Sequence, residues 1–247
     1  MRELVLVTGG NKGLGKETAR QLARRGLGVL LGSRDLDRGE RAAAELTGDL
    51  GPGGAPVTAI QLDVTDQDSV KAAVEQVHDT HGRLDALVNN AGIFAGAPAA
   101  DTTVTELRDL FEVNVFGVVT VTHAFLPLLR KSANARIVNV SSTTASLTLT
   151  ADGAEIPGDA STRLAYASAK AALNMLTIQY AKAFRADPDL AHVLVNAAVP
   201  GFTATDINDH RGIRPVQDGA RIIADLAVLP AGGPTGGLFD DEGPVPW

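Results

Sequence analysis

The chain has 247 residues, 45% of them hydrophobic but only 4% aromatic, so it can bury a full core built mostly of Ala, Val and Leu. A net charge of −7 argues against a nucleic-acid or anionic-membrane surface, and the absence of cysteine excludes disulfides and thiolate metal sites. The apolar run from Met1 to Thr8 is too short for a signal peptide, and no stretch reads as long and apolar enough to span a bilayer, so a cytoplasmic location without a membrane partner is the expectation.

In chain order, a strand over 4–7 leads into a helix over 13–25, then a strand over 28–31 and a helix over 38–46. A strand over 57–62 is followed by a helix over 67–81, a strand over 86–89 and a long apolar helix over 105–129. Strands over 136–140 and 193–198 flank a helix over 163–185, and a helix over 216–228 precedes a short strand over 237–239. Gly and Pro content marks 48–56 and 231–234 as loops, and the longest apparent loop is 143–162. Strand-helix alternation implies right-handed crossovers. The expected fold is therefore α/β: a single-domain, Rossmann-type, doubly wound parallel sheet of about seven strands with helices on both faces. The low aromatic content suits parallel strands covered by helices.

The first strand runs straight into Thr8-Gly9-Gly10-Asn11-Lys12-Gly13-Leu14-Gly15 and then a helix. Strand, glycine turn and helix form a phosphate-binding arrangement: glycines let the backbone approach a pyrophosphate, and the helix N-terminus meets it with free N–H groups. The spacing Gly9, Gly13, Gly15 differs from the GxGxxG fingerprint, and a tight turn without a ligand is the plainer alternative. The second strand ends in Ser33-Arg34-Asp35, where an NAD site would place an acid for the ribose 2′-hydroxyl. Arg34 stands there instead, with Lys12 as a second cation, and both favour the 2′-phosphate of NADP over NAD. Asp35 dissents, unless it only starts the next helix, and Arg34 alone would equally serve as a solvated loop charge.

Tyr166 and Lys170 are four residues apart in a helix-forming run, so they share one face. An ammonium beside a phenol favours the phenolate and makes the tyrosine a more useful proton donor and acceptor. Ser141 and Ser142 close the 136–140 strand, where a hydroxyl can donate to a substrate carbonyl. Asn114 lies inside the long apolar helix, which is unfavourable unless its amide bonds something, and a satisfied core amide is the plainer reading. Asn89-Asn90-Ala91-Gly92 ends the fourth strand and reads either as a cofactor wall or as loop capping. His78 and His81 lack a third ligand, so no metal site is expected, and Asp240-Asp241-Glu242 reads as a solvated acidic run.

Taken together, Thr8–Gly15, Asp63-Val64, Asn89–Gly92, Asn114, Ser142, Tyr166/Lys170 and Pro200-Gly201 resemble the short-chain dehydrogenases/reductases nearly end to end, and the glycine turn and Ser-Arg-Asp segment resemble the carbonyl-reductase branch. The resemblance implies that Tyr166 donates a proton to the carbonyl oxygen, that Lys170 lowers its pKa and holds the nicotinamide ribose, and that Ser142 orients the carbonyl. It implies that Asn114 supports a proton relay to Lys170. For the cofactor it implies the turn residues Gly9, Asn11, Lys12, Gly13, Leu14 and Gly15, with Arg34 at the phosphate. Asp63 and Val64 then contact adenine, Asn90 and Gly92 line the ribose side, and Val199 to Thr203 wrap the nicotinamide. The activity so implied is an NADPH-dependent reductase of a ketone or aldehyde. An alcohol dehydrogenase using NADP or NAD is the alternative, and a non-catalytic nucleotide sensor the more distant one.

One departure concerns the 24 residues from Ser142 to Tyr166, about twice the separation more usual in that family. Residues 93–100, the inserted loop 143–162 and the substrate-side loop 202–214 are read as flanking a moderately apolar small-molecule substrate. The insert also favours a monomer or homodimer over the family's tetramer.

Overall fold

Alternate residues of a parallel strand face opposite sides of its sheet, and both sides must be covered when crossovers are helical. In β1 (Leu4–Val7) every residue is buried: Val5 and Val7 face one helical layer, Leu4 and Leu6 the other. A computed structural model describes residues 2–247 and arranges eight strands in the order β3-β2-β1-β4-β5-β6-β7-β8. The strands are β2 (Gly28–Ser33), β3 (Val57–Gln61), β4 (Ala86–Asn89), β5 (Arg136–Val140), β6 (Leu194–Ala198), β7 (Leu238–Asp240) and β8 (Gly243–Val245). All neighbours pair parallel except β7 with β8.

Helices α1 (Gly13–Arg24), α2 (Leu36–Leu50) and α8 (Val216–Ala227) cover one face through Leu22, Leu46 and Ile223. Helices α3 (Gln67–His81), α5 (Gly117–Leu129) and α7 (Leu164–Ala186) cover the other through Val70, Phe125 and Phe184. The strand order reverses between β1 and β4, which opens a crevice at their carboxyl ends, the usual ligand position in such sheets.

Five expectations need correction. The sheet has eight strands, because the acidic run 240–242 turns a hairpin: the Asp240 carboxylate accepts from the N–H groups of Glu242 and Gly243, and Gly243 takes φ +128°. Helix α2 starts earlier and ends later than expected. Asp35 caps its first turn by accepting from Arg38 N–H, and Gly48 sits inside the helix with open space around it.

The predicted 105–129 helix divides into α4 (Val104–Phe111), a π-helical turn (Glu112–Phe116) and α5. By length and hydropathy, Val104–Leu129 is also apolar enough to cross a membrane, contrary to the expectation, but half of it is buried inside the fold, as suits a core helix. Finally, residues 143–162 are not a plain loop: they hold a 3-10 turn (Thr143–Ala145), α6 (Leu147–Ala151) and a second 3-10 turn (Ala160–Thr162).

Candidate active site

The glycine turn is built so that nothing larger fits. Gly9 and Gly13 take φ +61° and +54°, which favours glycine. A Cβ on Gly15 would stand 2.5 Å from both the Gly9 carbonyl oxygen and the Asn90 amide nitrogen. Below the turn, Thr8 Oγ1 accepts from the N–H groups of Asn90 and Ala91 at 3.0 and 2.9 Å. Asn90 Nδ2 in turn donates to the carbonyls of Thr8 and Gly9. Asn90 therefore holds the turn from beneath. Lys12, at the N-cap of α1, provides no side-chain cap, so the first N–H groups of α1 have no such partner. A pyrophosphate fits this cradle by backbone approach and dipole alike.

Around the cradle, Arg34 is exposed and makes no ion pair among the described residues, whereas Asp35 is engaged in capping α2. Lys12 pairs with Asp206 at 3.6 Å, and Gly13 lies against the Thr205 side chain, so the loop leaving β6 crosses the glycine turn. Leu14 packs on the core. Asn11 is half-buried. The Asp63 carboxylate is folded back on Thr65, accepting from its N–H and hydroxyl, and Val64 is buried against Gly117. On the β6 side Val199 is buried, and Thr203 donates to the Pro200 carbonyl at 2.9 Å.

The catalytic candidates converge at the carboxyl end of β5. Helix α7 lays Tyr166, Lys170, Asn174 and Thr177 along one inward stripe. Lys170 Nζ donates to the Val140 carbonyl at 2.8 Å. Asn174 accepts from Ser141 Oγ at 2.6 Å and donates to the Ala145 carbonyl at 3.2 Å. Ser142 caps the following 3-10 turn, shares a 2.9 Å hydrogen bond with Thr144 and stands close enough to the Tyr166 hydroxyl to favour its ionised form. Asn114 is fully buried in the π-helical turn. Its amide exchanges two hydrogen bonds with the backbone of Ile93, and a Cβ on Gly92 would stand 2.9 Å from its oxygen and 3.6 Å from Lys170 Nζ. Asn114, Gly92 and Lys170 are thus neighbours.

Burial pushes the Tyr166 phenol up to about 12, and the Ser142 hydrogen bond only partly offsets this. Burial also pushes the Lys170 ammonium down to about 8. The expected acidification of Tyr166 by Lys170 is not what this arrangement shows: the lowering partner is Ser142, and the ammonium sits 5.8 Å from the ring centroid, over its face.

Sequence reasoning missed three residues. Asn174 was detectable, since it follows Lys170 by four and so shares its face. Phe94, whose ring meets Tyr166 edge-on at 5.2 Å, lies in the 93–100 stretch expected at the substrate without being singled out there. Asp206 carried no signal, because its partner Lys12 is remote in sequence. Among the described residues no His/Asp/Glu group is placed to hold a metal.

A family model for the short chain dehydrogenases matches residues 3–214. The chain is 35% identical to a short-chain dehydrogenase, anuI, of Penicillium roqueforti over 98% of this chain and 95% of that one. It is 34% identical to a (+)-neomenthol dehydrogenase of Arabidopsis thaliana over 91% of each. The crystal structure of NADPH-bound carbonyl reductase from chicken fatty liver superposes over the whole of both chains with a TM-score of 0.83 at 26% identity.

Proposed function

The chain belongs to the short-chain dehydrogenase family, and on that premise we propose that it is an NADPH-dependent reductase of ketones or aldehydes. The observation that carries the reading is the meeting of Ser142, Tyr166 and Lys170 beside a glycine cradle whose adjoining cation, Arg34, makes no ion pair among the described residues. When bound, the reduced nicotinamide supplies the hydride. Ser142 holds the substrate carbonyl by hydrogen bonding to its oxygen, and the Tyr166 hydroxyl gives that oxygen its proton. Lys170 places a cation at Tyr166 and at the ribose side of the crevice.

Arg34 and Lys12 support NADPH, and the likeness to an NADPH-bound carbonyl reductase agrees. The loops leaving β4 and β6 expose Ile93, Phe94, Ile207 and Ile213, while Arg214 is paired with Asp241. This lining supports an apolar, uncharged carbonyl compound. A panel of such compounds, followed by loss of NADPH absorbance with NADH in parallel, tests the reading. Turnover of no carbonyl with either cofactor by folded protein would refute it.

A further inference from the structure

Arg163 stands three residues before Tyr166, at the N-cap of α7. Its Nη2 lies 2.7 Å from each of three successive carbonyl oxygens, those of Ile156, Pro157 and Gly158. Three adjacent carbonyls reach one nitrogen only if the chain curls around it. Gly158 makes the curl with φ +96°, and a Cβ there would stand 3.4 Å from Arg163 Nη2 and 3.8 Å from the Phe202 ring. At the other end of the curl, the Thr162 carbonyl and the Phe94 ring both press on Gly96, at 3.1 and 3.0 Å from where a Cβ would stand. Phe94 then packs edge-on against Tyr166. Asp159 steadies the same segment by accepting from the N–H and hydroxyl of Ser161.

The curl therefore sits between the loops leaving β4 and β6, and the first of these borders Tyr166 through Phe94. A guanidinium so engaged is directed at backbone, not at an anionic substrate. Charge-assisted hydrogen bonds are the strong ones, so this side chain is a principal tether of residues 156–158.

We propose that Arg163 is a specificity-determining positioning residue: it clips residues 156–158 into an apolar wall that, with Phe94 and Phe202, limits the size of the carbonyl compound reaching Tyr166. This rests on the reductase reading. Loosening the wall should alter discrimination between small and bulky substrates far more than it alters the chemical step, because a pocket wall acts through binding.

The test compares the parent with Arg163→Ala and Arg163→Lys, using a small aliphatic ketone and a bulky bicyclic ketone, alongside hydrogen exchange of residues 153–162. Arg163→Ala should change the ratio of kcat/KM for the two ketones by roughly tenfold, through KM and not kcat, and speed exchange in the segment. Arg163→Lys, whose ammonium still offers three N–H donors, should recover part of the ratio. Gly158→Ala, which strains the same curl without touching charge, should move the ratio the same way, and it carries the test if Arg163→Ala does not fold. An unchanged ratio in a folded variant with loosened exchange overturns the proposal. If the parent reduces no carbonyl at all, the reductase reading fails instead, and the exchange difference still shows whether the clip exists.

Discussion

Lys170 Nζ donates to the carbonyl oxygen of Val140 at 2.8 Å, a bond made by a buried ammonium at the carboxyl end of a central strand. Its folded pKa of about 8 lies below the ordinary 10.5, so between these values the unfolded chain holds a proton that the folded one does not. Stability from this group therefore rises with pH across that window. Measured against Lys170→Met, the parent should gain up to about 3 kcal/mol between pH 8 and pH 10.5. Denaturant midpoints of both proteins at several pH values decide it, and parallel curves would sink the assignment.

Tyr166→Phe removes the hydroxyl while keeping the ring that meets Phe94. The variant should lose at least about 100-fold in kcat, the lower range for general acid catalysis. NADPH binding should survive nearly intact. Steady-state rates and a fluorescence titration check the two halves separately.

Arg34 makes no ion pair among the described residues, whereas Lys12 already faces Asp206. Arg34→Ala should accordingly weaken NADPH more than Lys12→Ala does. A lost charge-assisted phosphate contact corresponds to about 10- to 100-fold. NADH affinity should barely move in either variant. Asp206→Asn, which releases Lys12 toward the phosphate, should tighten NADPH. Calorimetry with both cofactors measures all three.

Asn174→Ala leaves the buried Ser141 hydroxyl and the Ala145 carbonyl without their partner. An unsatisfied buried polar group costs about 1–3 kcal/mol. The variant should be destabilised by that order, and kcat should fall because Ser142 follows Ser141 directly. Adding Ser141→Ala should restore part of the stability, which a double-mutant cycle reads out.

Much of this was legible from residue order alone. Strands β1 to β6 and the glycine turn follow from apolar runs and glycine spacing, and Tyr166 and Lys170 from their separation by four. What stayed hidden is mostly which of two roles a residue takes. Asp35 suited a helix start and a ribose contact equally well, and the bond from Arg38 N–H decides for the α2 N-terminus. The hairpin at 240–242 hid behind charge, because three acids read as solvent-facing before the turn hydrogen bonds are seen. The Gly- and Pro-bearing insert shows no apolar period because its order comes from short caps at Ser142, Ser146 and Asp159 and from Arg163 reaching back to 156–158.

The π-helical turn at Glu112–Phe116 has a bearing on protein engineering. A π turn amounts to one extra residue in an α-helix, so deleting Val113 would let residues 104–129 wind without interruption. Judged by helix propensity, that shortened chain looks improved. Because the wide turn absorbs the extra residue, the flanks would keep their facing and Phe125 would stay on the sheet. What would change is the turn itself: Asn114, fully buried within it, holds the Ile93 backbone through both amide atoms and stands beside Gly92 and Lys170. Smoothing the rod would spare the fold and disturb the site.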